Sequence, residues 1–98
     1  MITVENIIEW SKPHPVINGK ITRISNKNIE FSIVGGARGL YGDFVNDFEM
    51  AIFDKESKQF ITKFFYPEAT DDVIPYMSKE EMVKLINKVI RSNDFQVR

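Results

Sequence analysis

Apolar positions along the chain follow two different periods, and the changes of period divide it into elements. Behind Thr3, whose hydroxyl suits an N-cap, Val4, Ile7 and Ile8 fall on one helical face, and Pro13 is expected to end that helix after about Lys12. "KPHPVINGK" keeps no period, and its prolines with Asn18-Gly19 mark a turn-rich connector. From Lys20 the period becomes two. "KITRIS" and "IEFSIV", joined through Asn26-Lys27-Asn28, predict a β-hairpin with Ile29, Phe31 and Ile33 on one face and Glu30, Ser32 and Val34 on the other. "FEMAIFD" predicts a third strand: Phe44, Phe48, Met50 and Ile52 share one parity, Asp47, Glu49, Ala51 and Phe53 the other. "QFITKFF" predicts a fourth, apolar on both faces, with Phe60 and Phe64 opposite Ile61 and Phe65.

"YPEATDDVIPYM" has no period and two prolines, so it reads as a loop. Ser78-Lys79-Glu80-Glu81 then fits a capping box, and Met82, Leu85, Ile86, Val89 and Ile90 form one stripe of a helix reaching about Ser92. Lys84, Lys88 and Arg91 lie opposite that stripe. The order α-β-β-β-β-α, with short connections, predicts one α+β domain over residues 1–98: a four-stranded antiparallel sheet with both terminal helices on one face. If so, Ala51, Phe53, Ile61 or Phe65 is left on the second face, as an exposed apolar patch that suits a protein partner or a second copy.

Composition narrows the chemistry. The 98 residues contain no cysteine, which removes disulfides, thiolate nucleophiles and cysteine-bound zinc. His14, between Pro13 and Pro15, is the sole histidine and reads as a loop residue, with no second one to complete a metal site or a triad. Asp43 with Asp47, and Asp71 with Asp72, lack the ligand spacing of a calcium loop. The expectation is a non-enzymatic protein without cofactor or metal. The acids in "MITVENIIEW" are unlike a secretory signal, and no run nears about 18 apolar residues, so a cytoplasmic protein with no membrane partner is expected.

The net charge of −1 is unevenly spread, acidic from Asp43 to Asp72 and basic from Ser78 onward. A weak nucleic-acid binder using Lys84, Lys88 and Arg91 is one alternative, although a pI of 5.8 lacks the basic footprint of that class. A small structural or assembly protein is another.

"GGARGLYGDF" holds four of the five glycines. A Walker loop needs Lys and then Ser or Thr after its last glycine, and a dinucleotide fingerprint needs G-x-G-x-x-G opening onto a helix. Here Asp43 follows Gly42, the glycines at 36, 39 and 42 are spaced by threes, and a strand follows. The loop therefore reads either as a wide connection or as a presenter of Arg38, Leu40 and Tyr41 to a protein partner, beside the acidic Asp43, Asp47 and Glu49 and the outward Phe53.

The run "SIVGGARGLYGDFVNDFEMAIFDKESKQFITKFF", rich with its neighbours in Asn, Lys and Ile, resembles the small uncharacterised proteins of phages and mobile elements in low-GC Gram-positive bacteria. That pool includes anti-CRISPR and other host-takeover proteins. The resemblance implies a single-domain protein that acts by binding. It carries over no residue role. The expectation is a non-catalytic inhibitor of a host or defence protein, whose acidic Asp43–Asp72 segment meets a basic, nucleic-acid-binding groove on the target while the 35–44 loop supplies the anchors.

Overall fold

The computed structural model of the chain describes residues 1–16, 18–25, 28–36 and 42–92. Among these, the elements run α1 (Val4–Glu9), β1 (Lys12–Pro13), β2 (Lys20–Ser25), β3 (Ile29–Gly35), β4 (Asp47–Asp54), α2 (Thr62–Phe65), β5 (Val73–Ser78) and α3 (Lys79–Ser92). The strands form one antiparallel meander in chain order. The class is α+β as expected, but the sheet has five strands rather than four.

Register puts one apolar set on one face. Ile24 lies across from Phe31 and Phe31 across from Ile52, while Ile33 faces Met50. With Phe48, Ile74 and Met77 they form the core, which α3 closes through Met82, Leu85, Ile86 and Val89, and α1 through Ile7. Each such side chain stabilises the fold by roughly 1.5–3 kcal/mol through apolar burial. Two buried polar side chains tie the helices in. The Thr22 hydroxyl donates to the Ile7 carbonyl at 2.6 Å. The Asn87 amide, on α3, accepts from the Ile2 N–H and donates to the Ile2 carbonyl, both at 2.9 Å.

Both N-caps form where the sequence placed them, but of the box expected at Ser78 only the serine half closes. Thr3 and Asn6 make a reciprocal capping box on α1. The Ser78 hydroxyl takes the Glu81 N–H at 3.2 Å, while the Glu81 carboxylate faces the Tyr66 hydroxyl 3.4 Å away. α1 stops at Glu9, shorter than expected, because Lys12 and Pro13 pair with Ile21 and Lys20 as β1. Proline lacks an N–H and is tolerated at this outer edge. The connector is a hairpin loop, closed by His14 N–H on Gly19 C=O at 2.9 Å, and His14 Nδ1 accepts the Val16 N–H.

Two expectations fail downstream of β4. "QFITKFF" is not a fourth strand. It makes a single bridge, Phe60 to Phe53, gives the Ile61 N–H to the Ile52 carbonyl, and then turns into α2. The fully buried Thr62 hydroxyl replaces the next rung of the ladder: it accepts the Ile52 N–H at 2.9 Å and donates to the Asp72 carbonyl at 2.6 Å. Ile61 and Phe65, four apart, pack on the core, whereas Phe60 and Phe64 are exposed, so their pattern is one helical turn and not two faces of a strand.

The freed edge of β4 is taken by β5, which lies in the stretch read as a loop. Phe48 pairs with Met77 and Met50 with Ile74, so Glu49 alone is opposed by both Pro75 and Tyr76. This bulge puts Ile74 and Met77, three residues apart, on the same core face and hides the alternation from sequence. Tyr76 accommodates it at a φ of +51°. Pro75 sits on an outer edge, where its missing donor breaks no ladder.

Candidate functional site

The connection from β3 to β4 is built at its base by glycines. Gly36 N–H donates to the Gly42 carbonyl at 3.1 Å, and the backbones cross so closely that a Cβ on Gly42 would lie 2.8 Å from Phe48 Cα. Arg38, Leu40 and Tyr41 lie outside the described residues. Asp43 then organises the approach to β4. One of its carboxylate oxygens accepts from the N–H groups of Val45, Asn46 and Asp47 at 2.8, 2.8 and 3.2 Å. The backbone donors hold its pKa down at about 2, Asn46 contributing most. Asp47 returns a bond, accepting the Asp43 N–H at 2.8 Å. Phe44 adopts a φ of +64° between them, its buried ring edge-on to Phe48 at 5.1 Å. It belongs to the core as its parity foretold, but through a turn and not a strand. Asp43 and Asp47 thus have a structural duty at the surface. Asp54 does likewise in the turn after β4, its pKa lowered by the Ser57 hydroxyl and N–H.

α1 and α3 pack on the core face of the sheet, and α2 joins the core through Thr62 and Phe65. No described helix lies on the opposite face. Its side chains fall in three rows across the strands. The first is Lys12, Ile21, Val34 and Glu49; the second Arg23, Ser32, Ala51 and Val73; the third Ser25, Glu30, Phe53 and Phe60. Glu49 and Phe53 are therefore brought together on this face, as expected, and Ala51 joins them, whereas Ile61 and Phe65 do not. Phe53 stacks on Phe60 with ring centroids 4.5 Å apart. Ile21, Val34 and Ala51 are buried among these rows.

Arg23 occupies the middle of this face and lines two clefts, each about 240 Å³. One continues through Glu30, Ser32 and Phe53 to Lys55 and Lys58, the other through Ile21 and Lys12 to Trp10. Trp10 remains 37% exposed at one end and Phe60 43% at the other. Sequence reasoning missed Trp10, Lys12, Arg23 and Lys58. The parity of "KITRIS" carries the signal, since it sets Arg23 on the same face as Ser32 and Ala51, but in the sequence only β4 and the segment after it show apolar residues on both faces.

Lys84 and Lys88 meet in a separate cleft of about 430 Å³ between α3 and the Phe65–Glu68 segment. They share it with Glu68 and Glu81, so its charge is mixed and the attraction of a phosphate chain is offset. Burial first, then Glu81 and Glu68, raises the Tyr66 phenol there. Arg91 is exposed in the last turn of α3, away from that cleft's lining. Among the described residues no three His, Asp or Glu side chains group as metal ligands, and no helix is long and apolar enough to cross a membrane. Compared with protein-family models, curated proteins and solved structures, the chain matches none.

Proposed function

We propose that this chain is a non-catalytic protein-binding module that docks a partner on the helix-free face of its sheet. The observation that carries the reading is the furrow centred on Arg23, with Trp10 at one end and Phe53 on Phe60 at the other. Arg and aromatic side chains at the centre of a patch are the residue types that dominate binding energy. Pro75 and the bulge discourage strand addition at the β5 edge, while at the other edge β1 covers Lys20 and Ile21 of β2.

An inhibitor of a host or defence protein, as the phage-protein resemblance implies, is the role this reading fits. Arg38, Leu40 and Tyr41, which lie in sequence between β3 and β4 and outside the described residues, are carried into this proposal from the sequence as further partner contacts. The test is capture of a partner from host lysate by the wild type, by Arg23→Ala, by Arg38→Ala with Tyr41→Ala, and by Lys84→Ala with Lys88→Ala. Loss in the first two variants and retention in the third is expected. Undiminished capture by Arg23→Ala, with its circular dichroism unchanged, would refute docking on this face.

A further inference from the structure

We infer that the segment docked in this furrow is an acidic stretch of polypeptide, a carboxylate of which the Arg23 guanidinium receives. This rests on the docking reading above and specifies its occupant. The argument is one of charge. The two clefts are lined by four cationic side chains, Lys12, Arg23, Lys55 and Lys58, against two carboxylates, Glu30 and Asp54. One Asp54 oxygen is already engaged by the Ser57 N–H. Arg23 is exposed, its guanidinium has no hydrogen-bond or ion-pair partner among the described residues, and Ser32 stands directly across from it on β3. A guanidinium presents parallel N–H donors that match a carboxylate in a bidentate pair, with more directional strength than an ammonium provides. From β1 to β4 the furrow crosses three strand spacings, roughly 14 Å, the reach of about four extended residues.

Mixed sign within the furrow separates a polypeptide from a nucleic acid. A phosphate backbone brings a negative charge at every nucleotide and would set some of them against Glu30, which is half-buried in the same cleft. A polypeptide places its carboxylate at Arg23 and a neutral or basic side chain at Glu30, with apolar side chains against Phe53 and Trp10.

Trp10 is the only tryptophan, so its fluorescence reports one end of the furrow alone. The experiment titrates the whole protein with three probes: a blocked peptide in which Glu alternates with Phe and Gly, its Gln counterpart, and an oligothymidylate of equal length. Amide NMR shifts on β2, β3 and β4 give the location. The Glu peptide is expected to bind at least about tenfold tighter than the Gln peptide, the size of a charge-assisted pair. Arg23→Ala should cut that advantage several-fold and leave the Gln affinity where it was, and Arg23→Glu should cut it further, with Lys12, Lys55 and Lys58 still in place. An undiminished Glu preference in Arg23→Ala overturns Arg23 as the group that receives the carboxylate. Equal affinity for the Glu and Gln peptides overturns the acidic occupant and leaves face docking standing. Tighter binding of the oligothymidylate overturns it in favour of nucleic acid. No response from Trp10 or the strand amides to any probe overturns both the occupant and the docking reading.

Discussion

Thr62 offers a direct test of how β4 changes partners. Its hydroxyl, fully buried, is held between the Ile52 N–H at 2.9 Å and the Asp72 carbonyl at 2.6 Å. Thr62→Val keeps the shape and removes only that oxygen. Ile52 is wholly buried on the central part of β4, so its N–H cannot turn to water, and leaving it unpaired costs about 1–3 kcal/mol. The Asp72 carbonyl belongs to a half-buried residue and can be rehydrated, so it adds less. The total comes to about 2–3 kcal/mol. Thr62→Ser keeps both hydrogen bonds and removes a buried methyl, at about 1 kcal/mol. The expected stability order is therefore Thr, Ser, Val, the inverse of what hydrophobicity alone dictates for a buried position. For a domain of this size each kcal/mol moves the melting temperature by about 4–8 °C, so the Val variant should melt about 8–24 °C lower. Urea titration monitored by circular dichroism measures the difference, and amide exchange at Ile52 locates it. A Val variant as stable as the Ser variant, with Ile52 still protected, would show that the hydroxyl does not act as a rung of the ladder.

Further expectations concern the clamp, the acidic turn and the glycine base. Asn87→Ala leaves the Ile2 N–H and carbonyl without their partners, so a loss of about 2 kcal/mol is expected, with amide exchange in α1 accelerated more than in β3; uniform acceleration would contradict a local clamp. Asp43 has a folded pKa near 2 against 3.8 unperturbed. Its contribution is therefore complete above about pH 4 and disappears as pH falls through about 2, and Asp43→Asn should flatten the pH dependence of the urea midpoint in that window. Gly42→Ala drives a Cβ into the main chain of Phe48 and should cost about 3 kcal/mol, whereas Gly36→Ala meets nothing closer than 3.7 Å and incurs mainly the strain of its φ of +78°, about 1 kcal/mol. A larger loss at Gly36 than at Gly42 in urea titration would invert the assignment.

What could be read from sequence followed the strength of local periodicity. β2, β3 and β4 alternate cleanly because one face is core throughout, and α3 shows its stripe and its Ser78 cap, so these were legible. β1 is too short to show any period. β5 was hidden by its bulge, which separates its two core residues by three positions, and by Pro75, which is compatible with a strand only because that strand is an edge. "QFITKFF" has the composition of a strand, yet β4 offers only one free edge, and Val73–Ser78 fills most of it. The choice between the two segments is tertiary and leaves no local mark. At the site, the acidic charges around Asp43 were visible, but their use by neighbouring amides was not. Arg23 could be placed on an outward face from parity alone. That the face is without a helix depends on where α1, α2 and α3 dock.

The pairing of Asn87 with Ile2 has a consequence in time. The two residues are 85 positions apart, and the chain is synthesised at about 5–20 residues per second, so the amide that receives Ile2 is made roughly 4–17 s after it. α1 emerges from the ribosome before the helix it packs against. During that interval the apolar side of Ile7 has no α3 to cover it, while the β2–β3 hairpin can already pair from contacts close in sequence. Thr22, only 15 residues on from Ile7, can anchor α1 early, whereas the clamp on Ile2 must wait for α3.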